Sequence, residues 1–189
     1  MSARSKLLLI PLLVLLIGAF LLGSRFSQGG NQAFAAGSPE KFEYLSAQTS
    51  NQCGAQPTTI ESYADTERLQ GSCCSAMDLH KYQEQVEGLK KYSRISQIPK
   101  DPYDIPASLA KELLGYRDNI QLDSGEQAVY DEAVALSDEG GPCCCRCWRW
   151  YTFEGLAKYL ITEKGFTADQ VAEVWDLEDG CGGAKSEHG

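Results

Sequence analysis

Histidine is scarce in this sequence, with two residues, His80 and His188, among 189. The catalytic patterns Gly-x-Ser-x-Gly and His-Glu-x-x-His are absent, as are the phosphate-loop and dinucleotide-binding fingerprints. The sequence therefore holds no direct evidence for an enzymatic substrate, and a binding role is favoured over catalysis. His188 lies near the end of the chain, and we give it no role.

Positive charge is also in short supply. The chain has 17 Lys and Arg residues against 26 Asp and Glu residues, which gives a formal net charge of -9 and a pI of about 4.7. Such a surface repels nucleic acid phosphates and anionic lipid headgroups. We therefore expect no nucleic acid partner, and metal ions or cationic molecules are the better candidates.

The N-terminus has the layout of an export signal. Arg4 and Lys6 precede an uncharged apolar run over residues 7–23, and a small-x-small cleavage pattern ends at Ala35. The run is also close to the ~20 residues that span a bilayer, so retention as a membrane anchor stays open beside cleavage. Both alternatives place the rest of the chain outside the cytoplasm, either secreted, periplasmic or anchored to the membrane.

Apolar spacing downstream predicts an all-α fold, with residues 1–35 as signal or anchor plus linker and residues 36–189 as one helical cysteine-rich domain. The expected elements are a short helix from Ser38-Pro39, a loop over Asn51–Gln70 around Cys53, a helix within 76–94, an extended stretch over Pro99–Pro106, a helix opened by Pro106, and a helix over Glu126–Leu136 with Ala128, Val129 and Ala133 inward.

The final segment predicts a helical hairpin. Thr152 is expected to cap its first helix and Gly165 to end it. Thr167 to Gln170 matches a capping box that opens the second helix, which Gly180 closes. Because an antiparallel hairpin returns to its starting point, Cys181 should lie near the cysteines that precede the first helix.

Those cysteines are the most informative feature. The chain has eight cysteines, and four of them fall within the six residues of Pro-Cys-Cys-Cys-Arg-Cys147. Thiolates are soft ligands that suit copper and zinc, and iron–sulfur units are a further option. The predicted metal ligands are Cys143, Cys145, Cys147 and Cys181, with Cys144 as a fifth candidate.

Two other roles for the same sulfurs remain open. Outside the cytosol cysteines tend to pair, so a Cys143–Cys181 or Cys147–Cys181 disulfide could staple the hairpin of a structural or binding module. Closely spaced thiols beside arginine are also typical of a thiol–disulfide redox protein. No thioredoxin-like pattern accompanies them.

A secondary copper-type set is formed by Cys73, Cys74, Met77 and His80. The alternative is that Met77 packs, that His80 is solvated, and that Cys53 bridges to one of the vicinal cysteines.

Trp148 and Trp150 flank the main cluster and could shield its sulfurs from water; the alternative is that they are core or interface aromatics. Arg146 and Arg149 could lower the pKa of nearby thiols; the alternative is that they are ordinary surface charges.

The run Pro142-Cys143-Cys144-Cys145-Arg146-Cys147 resembles the Pro-Cys-Tyr-Cys-Gly-Cys motif that names the PCYCGC family of exported bacterial proteins. The family's motif cysteines match Cys143, Cys145 and Cys147, whereas Cys144 replaces a tyrosine and Arg146 a glycine. This chain also lacks the lipoprotein cysteine of many members. The resemblance implies an exported cysteine-motif domain and names no ligand.

Overall fold

The computed structural model describes residues 34–183, and residues 35–183 belong to one compact unit. The predicted export signal lies outside the described residues, apart from its last two positions. The domain boundary after residue 35 and the cleavage site both stay predictions. None of the helices between residues 34 and 183 combines the length and apolar character that a membrane crossing requires.

The described chain is mainly helical, as predicted, with the addition of a small sheet. The two strands of that sheet pair antiparallel, and Leu69 faces Ile105. In chain order the elements are α1 (Pro39–Ser46), α2 (Pro57–Glu61), β1 (Arg68–Gln70), α3 (Leu79–Leu89) with a 3-10 turn (Lys90–Tyr92), β2 (Asp104–Pro106), α4 (Ala107–Asn119), α5 (Ser124–Leu136), α6 (Trp148–Lys164) and α7 (Ala168–Leu177).

Several helix ends follow local signals in the sequence. Ser38 caps α1, and its hydroxyl accepts a hydrogen bond from the backbone N–H of Lys41 at 3.1 Å. Thr167 and Gln170 form the predicted capping box at the start of α7. Gly165 ends α6 in the left-handed conformation, with φ +65°. These ends were predictable because each depends on a few neighbouring residues.

The start of α6 was predicted wrongly. The helix begins at Trp148, with Cys147 as its N-cap, and Thr152 lies buried inside it. The helix starts about one turn earlier than the capping signal of Thr152 indicated, because the added turn buries the whole Trp148 side chain in the core. As a consequence α6 begins directly at the cysteine cluster.

The predicted loop around Cys53 and the inward face of α5 also need correction. The loop contains two short elements, α2 and β1. On α5, Ala133 is buried as expected, but Ala128 is exposed and Val129 is half-buried. A weak apolar periodicity in an alanine-rich helix does not fix which face turns inward.

The main core lies between two helix pairs, because α6 packs chiefly against α4 and α7 against α5. Gly155 allows the first of these contacts: a Cβ atom there would lie 1.9 Å from the carbonyl oxygen of Leu113. The Trp175 indole donates a hydrogen bond to the Phe153 carbonyl at 3.1 Å, which links the two hairpin helices. This helical body supports the loops that carry the cysteines.

A second, smaller core joins α1 to α3. Its buried members are Leu45, Tyr82, Val86 and Tyr103. The Tyr82 hydroxyl donates to Asp101 Oδ2 at 2.7 Å and receives a hydrogen bond from the Gly37 N–H at 3.0 Å. This core holds α3 against the rest of the fold, and α3 in turn contacts the segment around Cys181.

Candidate metal centre

All eight cysteines of the chain meet at one end of the helical body. They come from four segments that are not helical at the cysteine positions. The segments are the loop before α2 with Cys53, the loop after β1 with Cys73 and Cys74, the loop before α6 with Cys143, Cys144, Cys145 and Cys147, and the turn after α7 with Cys181.

Cys181 lies at the centre of one half of this cluster. Its Sγ atom is 2.9 Å from Cys144 Sγ and 3.7 Å from both Cys143 Sγ and Cys73 Sγ. The hairpin therefore returns Cys181 to the loop before α6, as the sequence predicted. Cys181 and Cys143 are buried, whereas Cys144 is exposed, so the sulfurs run from the protein interior to the surface.

The other half is built around Cys53 and Cys145, whose Sγ atoms lie 3.0 Å apart. Cys74 Sγ lies 3.4 Å from Cys73 Sγ and 3.9 Å from Cys144 Sγ, which connects the two halves. Sequence reasoning did not assign Cys53, Cys73 and Cys74 to the main site. The adjacent pair Cys73-Cys74 was the one sequence signal for their membership of the site. The contacts that bring these residues together join loops up to 108 positions apart in the sequence, so no local pattern predicts them.

The eight sulfurs form four groups of three, and within each group all sulfurs lie within 4.8 Å of one another. Such groups of soft ligands could hold metal ions. The groups are Cys53, Cys74 and Cys145; Cys73, Cys74 and Cys181; Cys143, Cys144 and Cys181; and Cys143, Cys145 and Cys147.

Backbone hydrogen bonds tie the loop after β1 to the turn after α7. The N–H of Cys73 donates to the Gly180 carbonyl at 3.0 Å, and the N–H of Ser75 donates to the Cys181 carbonyl at 2.8 Å. Gly182 has φ +79°, and a Cβ atom there would lie 2.3 Å from the Ser75 carbonyl oxygen. The close backbone approach at Gly182 thus requires glycine and places Cys181 against Cys73.

Asn51 connects the remaining loops. Its side-chain N–H donates to the Gly71 carbonyl at 2.7 Å, and its carbonyl oxygen accepts from the Trp148 indole at 3.2 Å. The backbone N–H of Trp148 donates to the Ala55 carbonyl at 2.8 Å. Trp148 is completely buried, and its two hydrogen bonds join the start of α6 to the loop of Cys53.

Helix α3 holds the C-terminal turn. Lys81 Nζ forms an ion pair with Asp179 at 2.8 Å and donates to the Gly182 carbonyl at 3.1 Å. Gln85 donates to the Asp179 carbonyl at 2.7 Å, and Asp179 Oδ1 accepts from the Cys181 N–H at 2.9 Å. Buried polar contacts of this kind limit the positions that Cys181 can adopt.

Of the two predicted arginines, Arg149 is the buried cation beside the sulfurs. Its guanidinium donates to the carbonyl oxygens of Pro102 and Glu178, and it is 1% exposed. Burial alone would lower the pKa of Arg149, but the negative potential of the cysteine cluster and of Glu178 outweighs this and raises it. A charged guanidinium in this position favours thiolates.

The other two predicted flanking residues lie further out. Arg146 is exposed and stacks on the half-buried Trp150 ring, with its guanidinium carbon 3.7 Å from the ring centroid. This pair covers the outer side of the loop before α6.

Two of the thiols ionise readily. Hydrogen bonds from Cys143 and then Cys73 lower the pKa of Cys181 to about 5. A hydrogen bond from Cys147 lowers the pKa of Cys143 to about 7. Burial, by contrast, raises the pKa of Cys145 to about 12 and also raises that of Cys144. The sulfurs therefore share protons, and the anionic character concentrates on Cys181 and Cys143, whereas the pKa of the equally buried Cys147 is raised, first by its hydrogen bond with Cys143.

The predicted secondary set is not brought together. Cys73 and Cys74 belong to the main cluster, whereas Met77 packs against the second core and its sulfur accepts from the Ser46 hydroxyl at 3.8 Å. The His80 side chain is 83% exposed and lies 3.2 Å from Glu84, one helical turn away. His80 enters none of the potential metal-holding groups of the described residues.

The disulfide alternative is not supported, because all eight cysteines are free. Even the 2.9 Å between Cys144 and Cys181 exceeds the about 2.05 Å of a sulfur–sulfur bond. No protein-family model, curated protein or solved structure matches this chain. The cluster itself is a set of free thiols that could hold metal ions.

Proposed function

We propose that this protein binds a soft metal ion of the copper or zinc type through its cysteine cluster, outside the cytoplasm. The observation that carries the proposal is the meeting of eight free cysteines from four separate segments within contact distance. Thiolates select soft cations over the hard ions that prefer oxygen ligands. The cluster thus has the ligand chemistry of a copper or zinc centre.

The surroundings of the cluster support binding. Buried hydrogen bonds hold the segments of Cys53, Cys73 and Cys181 in place before any ligand arrives. Preorganised ligands reduce the entropy that binding must overcome. Arg149 and the N-terminus of α6 add positive potential beside the thiolates, which lowers the cost of gathering so much negative charge.

The location outside the cytoplasm is proposed from the sequence of residues 1–35 and from the likeness to the PCYCGC family. In an oxidising compartment closely spaced thiols tend to form disulfides. Bound metal would keep these eight sulfurs reduced, so an exported location and metal binding are mutually consistent.

Metal analysis with matched variants tests the proposal. Protein purified without chelators should carry copper or zinc, and the double variant Cys143→Ser, Cys181→Ser should lose about three quarters of its bound metal, because these two thiols belong to three of the four groups. The control is His80→Ala, which removes an exposed side chain outside the cluster and should leave the metal content unchanged. Equal metal content in the cysteine variant and the parent would refute the proposal.

A thiol–disulfide redox role is the second candidate, favoured by one observation. The exposed Cys144 lies 2.9 Å from Cys181, whose pKa is lowered to about 5 by its hydrogen bonds from Cys143 and Cys73. A thiolate beside an accessible second thiol could exchange with an external disulfide. In an insulin-reduction assay this role predicts turnover that disappears in Cys144→Ser, whereas the metal-binding proposal predicts none from the metal-loaded protein.

A further inference from the structure

The four groups of three sulfurs are linked into a closed ring. Each group shares one cysteine with the next, so four cysteines belong to two groups and the other four to one. The shared cysteines are Cys74, Cys143, Cys145 and Cys181, and the unshared ones are Cys53, Cys73, Cys144 and Cys147. A thiolate sulfur has several lone pairs and can bridge two metal ions, so shared membership corresponds to a bridging ligand.

The number of ligands matches four ions, each bound by three sulfurs. Four three-coordinate ions need twelve metal–sulfur bonds. Four bridging cysteines supply two bonds each and four terminal cysteines supply one each, which gives the same twelve. Every cysteine of the chain is used, and none is left over.

The size of the groups favours cuprous ions over zinc. Structural zinc takes four ligands in a tetrahedron, yet each of the groups among residues 34–183 contains three sulfurs and none contains four. With metal–sulfur bonds near 2.3 Å, three sulfurs around one ion lie about 4 Å apart. The contacts of 3.7 Å from Cys181 to Cys143 and to Cys73, each within one group, are close to that spacing, and the 2.9 Å contact of Cys181 with Cys144 would lengthen when an ion binds. Cu(I) is soft and accepts three thiolates.

Charge and access agree with such a centre. Four cuprous ions and eight thiolates leave four negative charges, and the buried guanidinium of Arg149 lies on the interior side. Cys74 and Cys144 are exposed, which leaves an entry for ions on the opposite side. Helix α6 directs its N-terminus toward the cluster through Cys147, its N-cap, and its dipole favours the negative charge there.

We propose that the cysteine cluster holds four cuprous ions in one polynuclear copper–thiolate centre, bridged by Cys74, Cys143, Cys145 and Cys181. The inference rests on the proposed function, since it specifies the metal, the number of ions and the role of each sulfur. A centre of this kind suits the storage or safe carriage of copper, because every ion is held by sulfur alone.

Anaerobic titration of the reduced full chain with Cu(I) tests the inference. Native mass spectrometry should show the apo protein and a four-copper species, with little of the intermediates, because bridging ligands couple the sites. X-ray absorption at the copper edge should show three sulfur neighbours and a copper–copper shell. A parallel titration with Zn(II) provides the comparison.

Two exposed cysteines give a matched pair of variants. Cys74→Ser removes a sulfur that belongs to two groups, whereas Cys144→Ser removes one that belongs to a single group. We expect tightly bound copper to fall from four ions to two in Cys74→Ser and from four to three in Cys144→Ser. Both side chains are exposed, so replacement by serine should leave the helical circular dichroism spectrum unchanged.

The outcomes separate this inference from the proposed function. Four copper ions with a copper–copper shell support both. Binding of a single copper ion, of two zinc ions in preference to copper, or of any other number of ions overturns the four-ion centre and leaves soft-metal binding intact. Failure to bind either metal overturns both. Equal losses in the two variants would refute the bridging assignment.

Discussion

The helical body and the cysteine end of this protein are held together by different forces. The body packs α4 against α6 and α5 against α7 through buried apolar side chains. The cysteine end consists of loops and turns joined by backbone hydrogen bonds, by Asn51 and by the Lys81–Asp179 ion pair. Its common chemical feature is sulfur: three of its cysteines reach into the main core, and the eight together could hold metal ions.

This difference implies that the two regions respond to different changes. Damage to the helical body should unfold the whole chain, since the loops have no other support. Damage to the loops should abolish metal binding and leave the helices largely folded.

The largest loss of stability is expected from Gly155→Ala in the helical body. The added Cβ would lie 1.9 Å from the Leu113 carbonyl and 2.8 Å from the Arg117 N–H, so α4 and α6 must separate. Overpacking of this kind costs about 3 kcal/mol or more. Chemical denaturation should show the loss with and without metal; a midpoint equal to that of the parent would contradict the close helix contact.

Arg149→Met should cause the second-largest loss of stability, and it should affect both regions. The methionine leaves the carbonyl oxygens of Pro102 and Glu178 without their donor and removes the cation beside the thiolates. Unpaired buried acceptors cost about 1–3 kcal/mol each. Denaturation should show this loss, and metal affinity should fall as well. Arg146→Met, at an exposed position on Trp150, is the control that should change neither quantity.

Glu178 predicts a pH dependence in the apo protein. Its carboxylate is buried without a hydrogen-bond partner, and burial raises its pKa well above 4.5. The folded chain therefore keeps a proton that the unfolded chain loses. The stability from this group is fully present below pH 4.5 and is lost as the pH rises toward the folded pKa, by about 1.4 kcal/mol per pH unit.

Glu178→Gln should flatten that dependence, because the amide cannot ionise. Urea unfolding between pH 4 and pH 8 would measure it, with the exposed Glu163→Gln as control. If the free energy of unfolding changes with pH in the same way for the parent and for Glu178→Gln, the buried carboxyl does not cause the pH dependence.

Gly182→Ala should damage the cysteine end alone. Its φ of +79° is unfavourable for alanine by about 1 kcal/mol, and the Cβ would crowd the Ser75 carbonyl at 2.3 Å. We expect copper binding at least ten-fold weaker, with the helical circular dichroism spectrum retained. Gly54→Ala, in the loop of Cys53 with open space around its Cβ, is the matched control and should bind normally. Normal binding by Gly182→Ala would argue against this loop contact.

Gly115→Ala should have the smallest effect, and in the opposite direction. This glycine lies within α4, and nothing lies within 4 Å of the position that a Cβ would occupy. Alanine is favoured over glycine inside a helix by about 0.5–1 kcal/mol. A small rise in the thermal unfolding midpoint would confirm that a side chain fits at position 115, unlike at Gly155. A lower midpoint would contradict the open space around Gly115.

The same contrast explains what the sequence could predict. The capping box at Thr167, the left-handed end at Gly165 and the return of Cys181 each follow from neighbouring residues or from one hairpin. The start of α6 and the buried face of α5 depend on packing against distant helices. Local signals therefore placed Thr152 and Ala128 wrongly.

The cysteine end was half predictable for a related reason. Four of its cysteines fall within five consecutive residues, and the hairpin returns a fifth, Cys181, to them. Cys53 and the pair Cys73-Cys74 arrive through loops without a periodic pattern, positioned by Asn51 and by Gly182. Sequence spacing also could not tell which of the two arginines is buried: Arg146, inside the motif, is exposed, whereas Arg149, just after it, is buried.

Cysteine alkylation followed by mass spectrometry tests the central claim, that the eight sulfurs act as one metal-binding unit, most directly. In the metal-loaded protein all eight cysteines should resist alkylation together, including the exposed Cys74 and Cys144, and a strong chelator should make all eight reactive in one step. Free reaction of Cys53, Cys73 and Cys74 in the loaded protein, while the five later cysteines stay protected, would contradict it.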